Sequence, residues 1–266
     1  MIVARRGQSS PRVVALQILL NRRKLDGDPL GVDGVYGPKT AAAVLAFREK
    51  VLRMSGSGDV ADGDVFGPLL AGAGLCVVDA LDVTDPDVLG DGQVLGAQGS
   101  RLVQTGAMSN GVGQVVADVA RRASGHRSVV LLRFHGHGAP GRMGVSIGTR
   151  QMWKDAGIAV DPSKERSLLD LDVVKAASAE LEKLRPYFAD FGSAELHGCK
   201  VGQDTKILSA LASLWGVPVS ASTEQQVGGD EALEFEGKVR TVYPGGGSLR
   251  GWAKSRAEAL VPAGPR

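Results

Sequence analysis

Apolar positions recur along this chain with two different periods. Near residues 10–24, Val13, Leu16, Leu19 and Leu20 share one face of a helix. Ser10 stands where a cap is needed, and Pro11 takes the first helical position, where its missing N–H is not required. A loop leads to Val32-Asp33-Gly34-Val35-Tyr36-Gly37-Pro38-Lys39-Thr40, and the pattern then predicts a second helix through Ala43, Val44 and Phe47. The turn nearly recurs at Asp62-Gly63-Asp64-Val65-Phe66-Gly67-Pro68, an internal echo that suggests two similar small units packed together. The glycine-rich passage Ala71 to Gly74 marks a domain boundary.

Beyond it the apolar residues come in short continuous runs, the pattern of buried strands in a parallel sheet. These runs are Cys76 to Ala80, Leu102 to Gln104, Val129 to His135, Ala194 to Val201 and Val217 to Ser222. Helical spacing returns at Val112 to Ala123, at Leu168 to Tyr187 as one long helix, and at Thr205 to Trp215. The stretch after Ala80 is polar and rich in Asp and Gly, without an assigned element, and Arg142 to Ile147 reads as a hairpin. Strands alternating with helices predict an α/β sandwich with a mostly parallel sheet. The expected organisation is a small all-α domain over 1–74, the α/β domain over 75–245, and a tail over 246–266 loosely packed after Trp252.

Composition narrows the function classes. The 266 residues suffice for one large domain or two unequal ones, and 43% hydrophobic with 23% charged residues is ordinary for a globular chain. A net charge of +2 and no basic run interleaved with aromatics argue against a nucleic-acid partner. No apolar run reaches the roughly 18 residues of a membrane span. Met1 to Gln8 carries Arg5 and Arg6 without the apolar core of a secretory signal. Location is therefore open between the cytoplasm and a cell-wall or extracellular site reached without such a signal. Cys76 opens an apolar run and Cys199 sits in a glycine-flanked turn, contexts that favour two free thiols over a disulfide.

The candidate chemistry lies at two strand ends. Val129 to His135 runs into Gly136-His137-Gly138, and Ala194-Glu195-Leu196-His197 into Gly198-Cys199. Carboxyl ends of parallel strands are where open α/β sheets place ligands. An imidazole that takes the proton of a thiol makes it a nucleophile, and the N–H groups of Gly138 and Cys199 are candidate oxyanion donors. The residues alone leave two other readings open. His135, His137, His197 and Cys199 form alternating His-x-His and His-x-Cys pairs that suit Zn²⁺, although no acidic ligand follows His137. A purely structural His/Cys pair is the third.

Two resemblances extend this reading. Residues from about 5 to 75 resemble the small three-helix peptidoglycan-binding domain of bacterial cell-wall enzymes, through Gly7, Val14 to Leu20, and Asp33 to Thr40 with Ala43, Val44 and Phe47. The chain departs from that family where Phe47 is followed by Arg48 in place of Gln, and where the second Asp-Gly turn lacks Lys-Thr. The resemblance implies peptidoglycan as partner, with Asp33 and Tyr36 as ligand contacts. Beside it stands a structural reading, in which Asp33, Gly34 and Gly37 build a turn and Val35 and Tyr36 pack.

Residues from about 75 to 245 resemble the caspase-like cysteine peptidases, including bacterial CHAT domains. The likeness rests on His137-Gly138-Ala139-Pro140-Gly141, on Gly198-Cys199-Lys200-Val201-Gly202, and on Val219 to Thr223. It implies Cys199 as nucleophile, His137 as base, His135 in support, and a substrate pocket near Ser222 and Thr223. Asp79, Glu195 and Glu224 are further candidates for side-chain preference. A protein or peptide substrate follows, and no cofactor is required; Ca²⁺ activates some members of the clan, but nothing in the residues indicates it here. The alternative is a non-catalytic wall-binding or particle-assembly module on the same scaffold.

Overall fold

The computed structural model describes residues 2–25, 28–84, 86–106, 108, 110–146, 166–226 and 234–260. The N-terminal module contains β1 (Ala4–Arg5), α1 (Pro11–Arg22), α2 (Pro38–Phe47), β2 (Val60–Ala61) and α3 (Gly63–Ala71). Ser10 caps α1 by accepting the Val13 N–H, with Pro11 at the first position as expected. β1 and β2 pair antiparallel, so the module is helical with a short ribbon rather than all-α. Every residue from Pro11 to Leu20 is buried. A helix covered on all sides belongs in the middle of a structure, not on its surface.

The two Asp-Gly turns prove unlike. Gly37-Pro38 starts α2, with Pro at its first position, whereas Gly67-Pro68 lies inside α3, which Asp62 caps five residues earlier. The echo is one of sequence and not of structure.

The α/β part is built from β3 (Cys76–Asp82), α4 (Pro86–Ala97), β4 (Arg101–Thr105), α5 (Gly111–Arg122), β5 (Val129–His135), β6 (Gly138–Ala139), β7 (Arg142–Gly144) and β8 (Leu168–Asp170). It continues with α6 (Leu171–Ala176), α7 (Ser178–Leu181), β9 (Phe188–His197), α8 (Lys206–Trp215), β10 (Val219–Ser222), β11 (Val239–Val242) and α9 (Leu249–Leu260). The main sheet runs β11-β10-β9-β5-β3-β4, parallel throughout except for β11, which pairs antiparallel with β10. β6, β7 and β8 form a separate antiparallel sheet.

Right-handed crossovers decide which helix covers which face. β3 to β4 winds one way, and the later crossovers wind the other, so α4 lies on one face and α5 and α8 on the opposite one. On the α8 side Phe134 stacks on Trp215 at 6.0 Å, and the Trp215 indole N–H donates to Leu181 O at 3.0 Å. On the other side α4 packs on β3, but α4 alone does not reach β5 and β9. α1 fills that gap: it packs on β9, and α9 packs on α1 in turn. One continuous apolar core therefore runs through both parts of the chain.

Two expectations change, and two elements stand where none was assigned. The Asp- and Gly-rich stretch contains α4, whose Gly92 and Gly96 bring the helix onto the sheet: an added Cβ would lie 3.0 Å from the Leu81 side chain and 3.2 Å from that of Leu102. The long helix over 168–187 is broken instead, because Leu168–Asp170 pairs with β7, Asp170 caps α6, and a 3₁₀ turn at Glu182–Tyr187 leads into β9. β11 adds an antiparallel edge strand where the sequence pattern assigns no element. The tail holds α9, which buries Trp252 and Ala253 and seats Leu249 against Gly34, where an added Cβ would meet it at 2.7 Å. Within the expected hairpin, Arg142–Gly144 is strand and Ile147 lies outside the described residues.

Candidate active site

The registers of β3, β5, β9, β10 and β11 align Asp79, Arg133, Glu195, Ser220 and Thr241 in one row across the sheet. Side chains alternate along a strand, so this row and the next one on the same face, with His135 opposite His197, point toward α1. The opposite face shows Ala80, Phe134, Leu196 and Ala221.

From Asp79 to Ser220 the row is buried, and its charged groups are paired. Arg133 donates from Nε to Asp79 Oδ1 at 2.6 Å and from Nη2 to Oδ2 at 2.9 Å. His135 Nε2 lies 2.9 Å from Asp79 Oδ1, and His197 Nε2 lies 2.9 Å from Glu195 Oε2. Glu195 is gripped by Arg12 of α1, which donates from Nε at 2.6 Å and from Nη2, while its Nη1 donates to Val3 O at 3.3 Å. The two imidazoles stack with centroids 4.9 Å apart, and Phe235 stacks on His197 at 4.2 Å. Ionised carboxylates only accept, so each histidine carries its proton on Nε2.

Burial would raise the Glu195 carboxyl, but the charge and hydrogen bonds of Arg12, joined by His197, hold it well below its ordinary range. Asp79 is likewise held well below that range, burial being outweighed by Arg133 and His135. Burial brings His197 down to about 3 against the pull of Glu195, with His135 adding to the fall. Asp79 and Glu195 are thus internal partners of arginines, and neither reads a substrate side chain.

Beyond this row the strands end in two loops that touch through their backbones. An added Cβ at Gly138 would lie 2.7 Å from Cys199 N, and one at Gly198 would lie 3.0 Å from Gly136 O. Only glycine permits this approach. The Gly136 N–H donates to His197 O at 3.4 Å, and the Gly141 N–H to Val201 O at 3.2 Å. The turn is tightened by the Gly144 N–H donating to His137 O at 2.7 Å. Lys200, at φ +60°, turns the chain just after Cys199 and donates its N–H to Glu224 O at 2.8 Å. His137 is exposed and Cys199 half-buried. Both cysteines are free thiols. The loops lie beside the point where strand order reverses between β3 and β5, where open α/β sheets form a ligand crevice.

Residues 9–50 match the family model of a peptidoglycan binding domain. No curated protein and no solved structure matches the chain. The helical N-terminal module is of peptidoglycan-binding type, and the Gln17 side chain explains its Asp-Gly turn. Gln17 Nε2 donates to Asp33 Oδ1, Val35 O and Thr40 Oγ1, and its Oε1 accepts from the N–H groups of Asp33 and Gly34. Asp33 is exposed but holds that turn, also accepting the Val35 N–H at 2.9 Å. Tyr36 is buried, and its hydroxyl donates to Gly58 O at 2.7 Å, so it is a core residue and not a surface contact. Burial raises its pKa above the ordinary phenol value. Arg48, where the family usually has Gln, donates to Val60 O at 3.3 Å and Asp62 Oδ1 at 2.9 Å, tying α2 to α3.

Of the residues expected at a substrate pocket, Ser222 is fully buried and donates to Glu236 O at 2.8 Å, so its role is to hold the backbone. Thr223 is half-buried and lines a shallow groove with Thr205 and residues 238–242. Among the described residues no group of three His, Cys, Asp or Glu side chains is placed to hold a metal ion. His135 and His197 each direct Nε2 to a carboxylate, which leaves the zinc arrangement without a formed ligand set. No helix among the described residues is long and apolar enough to cross a membrane.

Arg12 and Arg133 were missed by sequence reading. A signal existed for the second: Asp79, Arg133 and Glu195, of alternating sign, each stand within the largely apolar run of one of three strands.

Proposed function

We propose that the chain is a cysteine endopeptidase of caspase-like type, brought to the cell wall by its peptidoglycan-binding module. The observation that carries this reading is the backbone contact of Gly138 with Cys199, which sets the His loop and the Cys loop side by side at the crevice. Cys199 Sγ attacks the scissile carbonyl carbon as His137 takes the thiol proton. The N–H groups of Gly138 and Cys199 stabilise the oxyanion. Collapse breaks the C–N bond, His137 returns the proton to the leaving amine, and a thioester remains. Water then adds, with His137 as base, and releases the acid and the thiol. The substrate is a protein or peptide of the wall compartment.

The test is labelling by a thiol-directed peptide electrophile at neutral pH, with peptide mapping, on the wild type and on His137→Ala. Loss of the base is expected to slow labelling of Cys199 by about a hundredfold, the low end for a positioned general base. Equal rates in the two proteins would contradict the dyad.

One observation favours a second reading, a non-catalytic wall-binding scaffold: the Cys199 sulfur already exchanges hydrogen bonds with the backbone of Gln226. On that reading the chain binds sacculi and His137→Ala leaves the thiol's reactivity unchanged.

A further inference from the structure

The surroundings of Cys199 reach back to the N-terminal module. Its Sγ donates to Gln226 O at 3.5 Å and accepts the Gln226 N–H at 3.4 Å, so one residue's backbone engages the sulfur twice. The Gln226 side chain is clasped in the same manner. Its Nε2 donates to Glu236 O at 3.0 Å, and its Oε1 accepts the Glu236 N–H at 3.0 Å. Next to Glu236, Phe235 stacks on His197, and Glu234 Oε2 accepts from Arg5 Nε at 2.9 Å and Nη2 at 2.7 Å. Gln8 Nε2 donates to Glu234 Oε1 at 3.2 Å. A chain of contacts thus runs from the sulfur through Gln226, Glu236, Phe235 and Glu234 to Arg5 and Gln8. A cavity of about 260 Å³, lined among others by Gln8, Arg12, Glu195, Glu234 and Phe235, lies beside this junction.

We infer that Gln226 is an autoinhibitory clasp on Cys199, latched shut by the ion pair between Glu234 and Arg5 of the peptidoglycan-binding module. The inference rests on the peptidase reading for its purpose, since covering a thiol restrains an enzyme only if that thiol is the nucleophile. With the S–H directed to the Gln226 carbonyl and the sulfur accepting the Gln226 N–H, a scissile carbonyl has no approach to the sulfur along those directions. Arg5 and Glu234 are half-exposed, so the latch is of the weak, separable kind expected of surface pairs. A ligand carboxylate that competes with Glu234 for Arg5 would open it, which links occupancy of the module to release of the thiol.

The experiment is the alkylation rate of Cys199 by iodoacetamide, resolved by peptide mapping, in the full chain. Glu234→Arg and Arg5→Glu each set like charges against one another and are expected to raise the rate roughly fivefold, the upper range for an exposed pair. The double swap restores opposite charges and returns the rate toward wild type. Gln226→Ala removes the side-chain clasp and raises the rate with both latch residues intact. Unchanged rates in the single variants, or a double swap as fast as the singles, would overturn the latch. Iodoacetamide needs no catalytic base. Release of alkylation by these variants, with no effect of His137→Ala on the peptide electrophile, would leave the latch standing and remove the peptidase reading.

Discussion

The two faces of the central sheet are closed by different physics. On one, Ala80, Phe134, Leu196 and Ala221 meet helices supplied by the sheet's own crossovers, with Trp215 as the largest filler. Burial of apolar surface is non-directional and tolerates any helix of the right shape. On the other, two carboxylates and two guanidiniums lie buried, and α1, a helix from a different module, completes the cover beside α4. Buried ion pairs add little to stability over an apolar replacement, yet removing one partner is strongly destabilising because the other is left uncompensated. The polar face therefore ties α1 to the sheet by identity of residue rather than by amount of surface. The peptidoglycan-binding module is a wall of the α/β unit and not a tethered appendage. Arg22 adds to this at the far end of α1, where its guanidinium lies 4.9 Å from the Phe191 ring centroid.

The largest expected effect breaks the polar face alone. Arg12→Ala leaves Glu195 buried without its main partner and should cost about 4 kcal/mol in urea unfolding. Arg12→Met with Glu195→Leu should lie within about 1 kcal/mol of wild type, since the charge is removed together with its partner. Equal losses in the single and double variants would mean that α1 is held by packing alone.

A smaller effect separates the faces by pH. His197 titrates near 6.5 when unfolded and at about 3 when folded, so between these values the unfolded chain binds the extra proton. Stability is full above about pH 6.5 and falls as the pH drops, by about 3 kcal/mol at pH 4.5 from this residue. Asp79 and Glu195, both held below their ordinary range, add losses of the same sign at lower pH. Thermal unfolding of His197→Gln should show a flatter acid limb between pH 7 and 4.5. Trp215→Ala on the apolar face should lower stability at every pH and leave that limb unchanged.

The same contrast explains what could be read from the sequence. Apolar faces announce themselves by period, so α1, α5, α8 and the cores of β3, β5, β9 and β10 were legible, as was the meeting of the His137 and Cys199 loops at one sheet edge. α4 was not, because Gly90, Gly92 and Gly96 lower helix propensity, although Gly92 and Gly96 serve close packing on Leu81 and Leu102. Polar pairings across long separations leave no period. Arg12 and Glu195 are 183 residues apart, and Gln226 lies 27 residues beyond the cysteine it covers. Asp79 and Glu195 stood among the candidates for side-chain preference because the caspase-like resemblance calls for a charged or polar group in the pocket. Here each charge answers another charge on the next element.

The most direct test of the account is cleavage of a fluorogenic peptide panel by the full chain carrying Glu234→Arg, with Cys199→Ala and His137→Ala each added to it. The account predicts turnover that is abolished by Cys199→Ala and reduced at least a hundredfold by His137→Ala. Turnover that survives Cys199→Ala, or a released thiol that cleaves nothing in the panel, would contradict it.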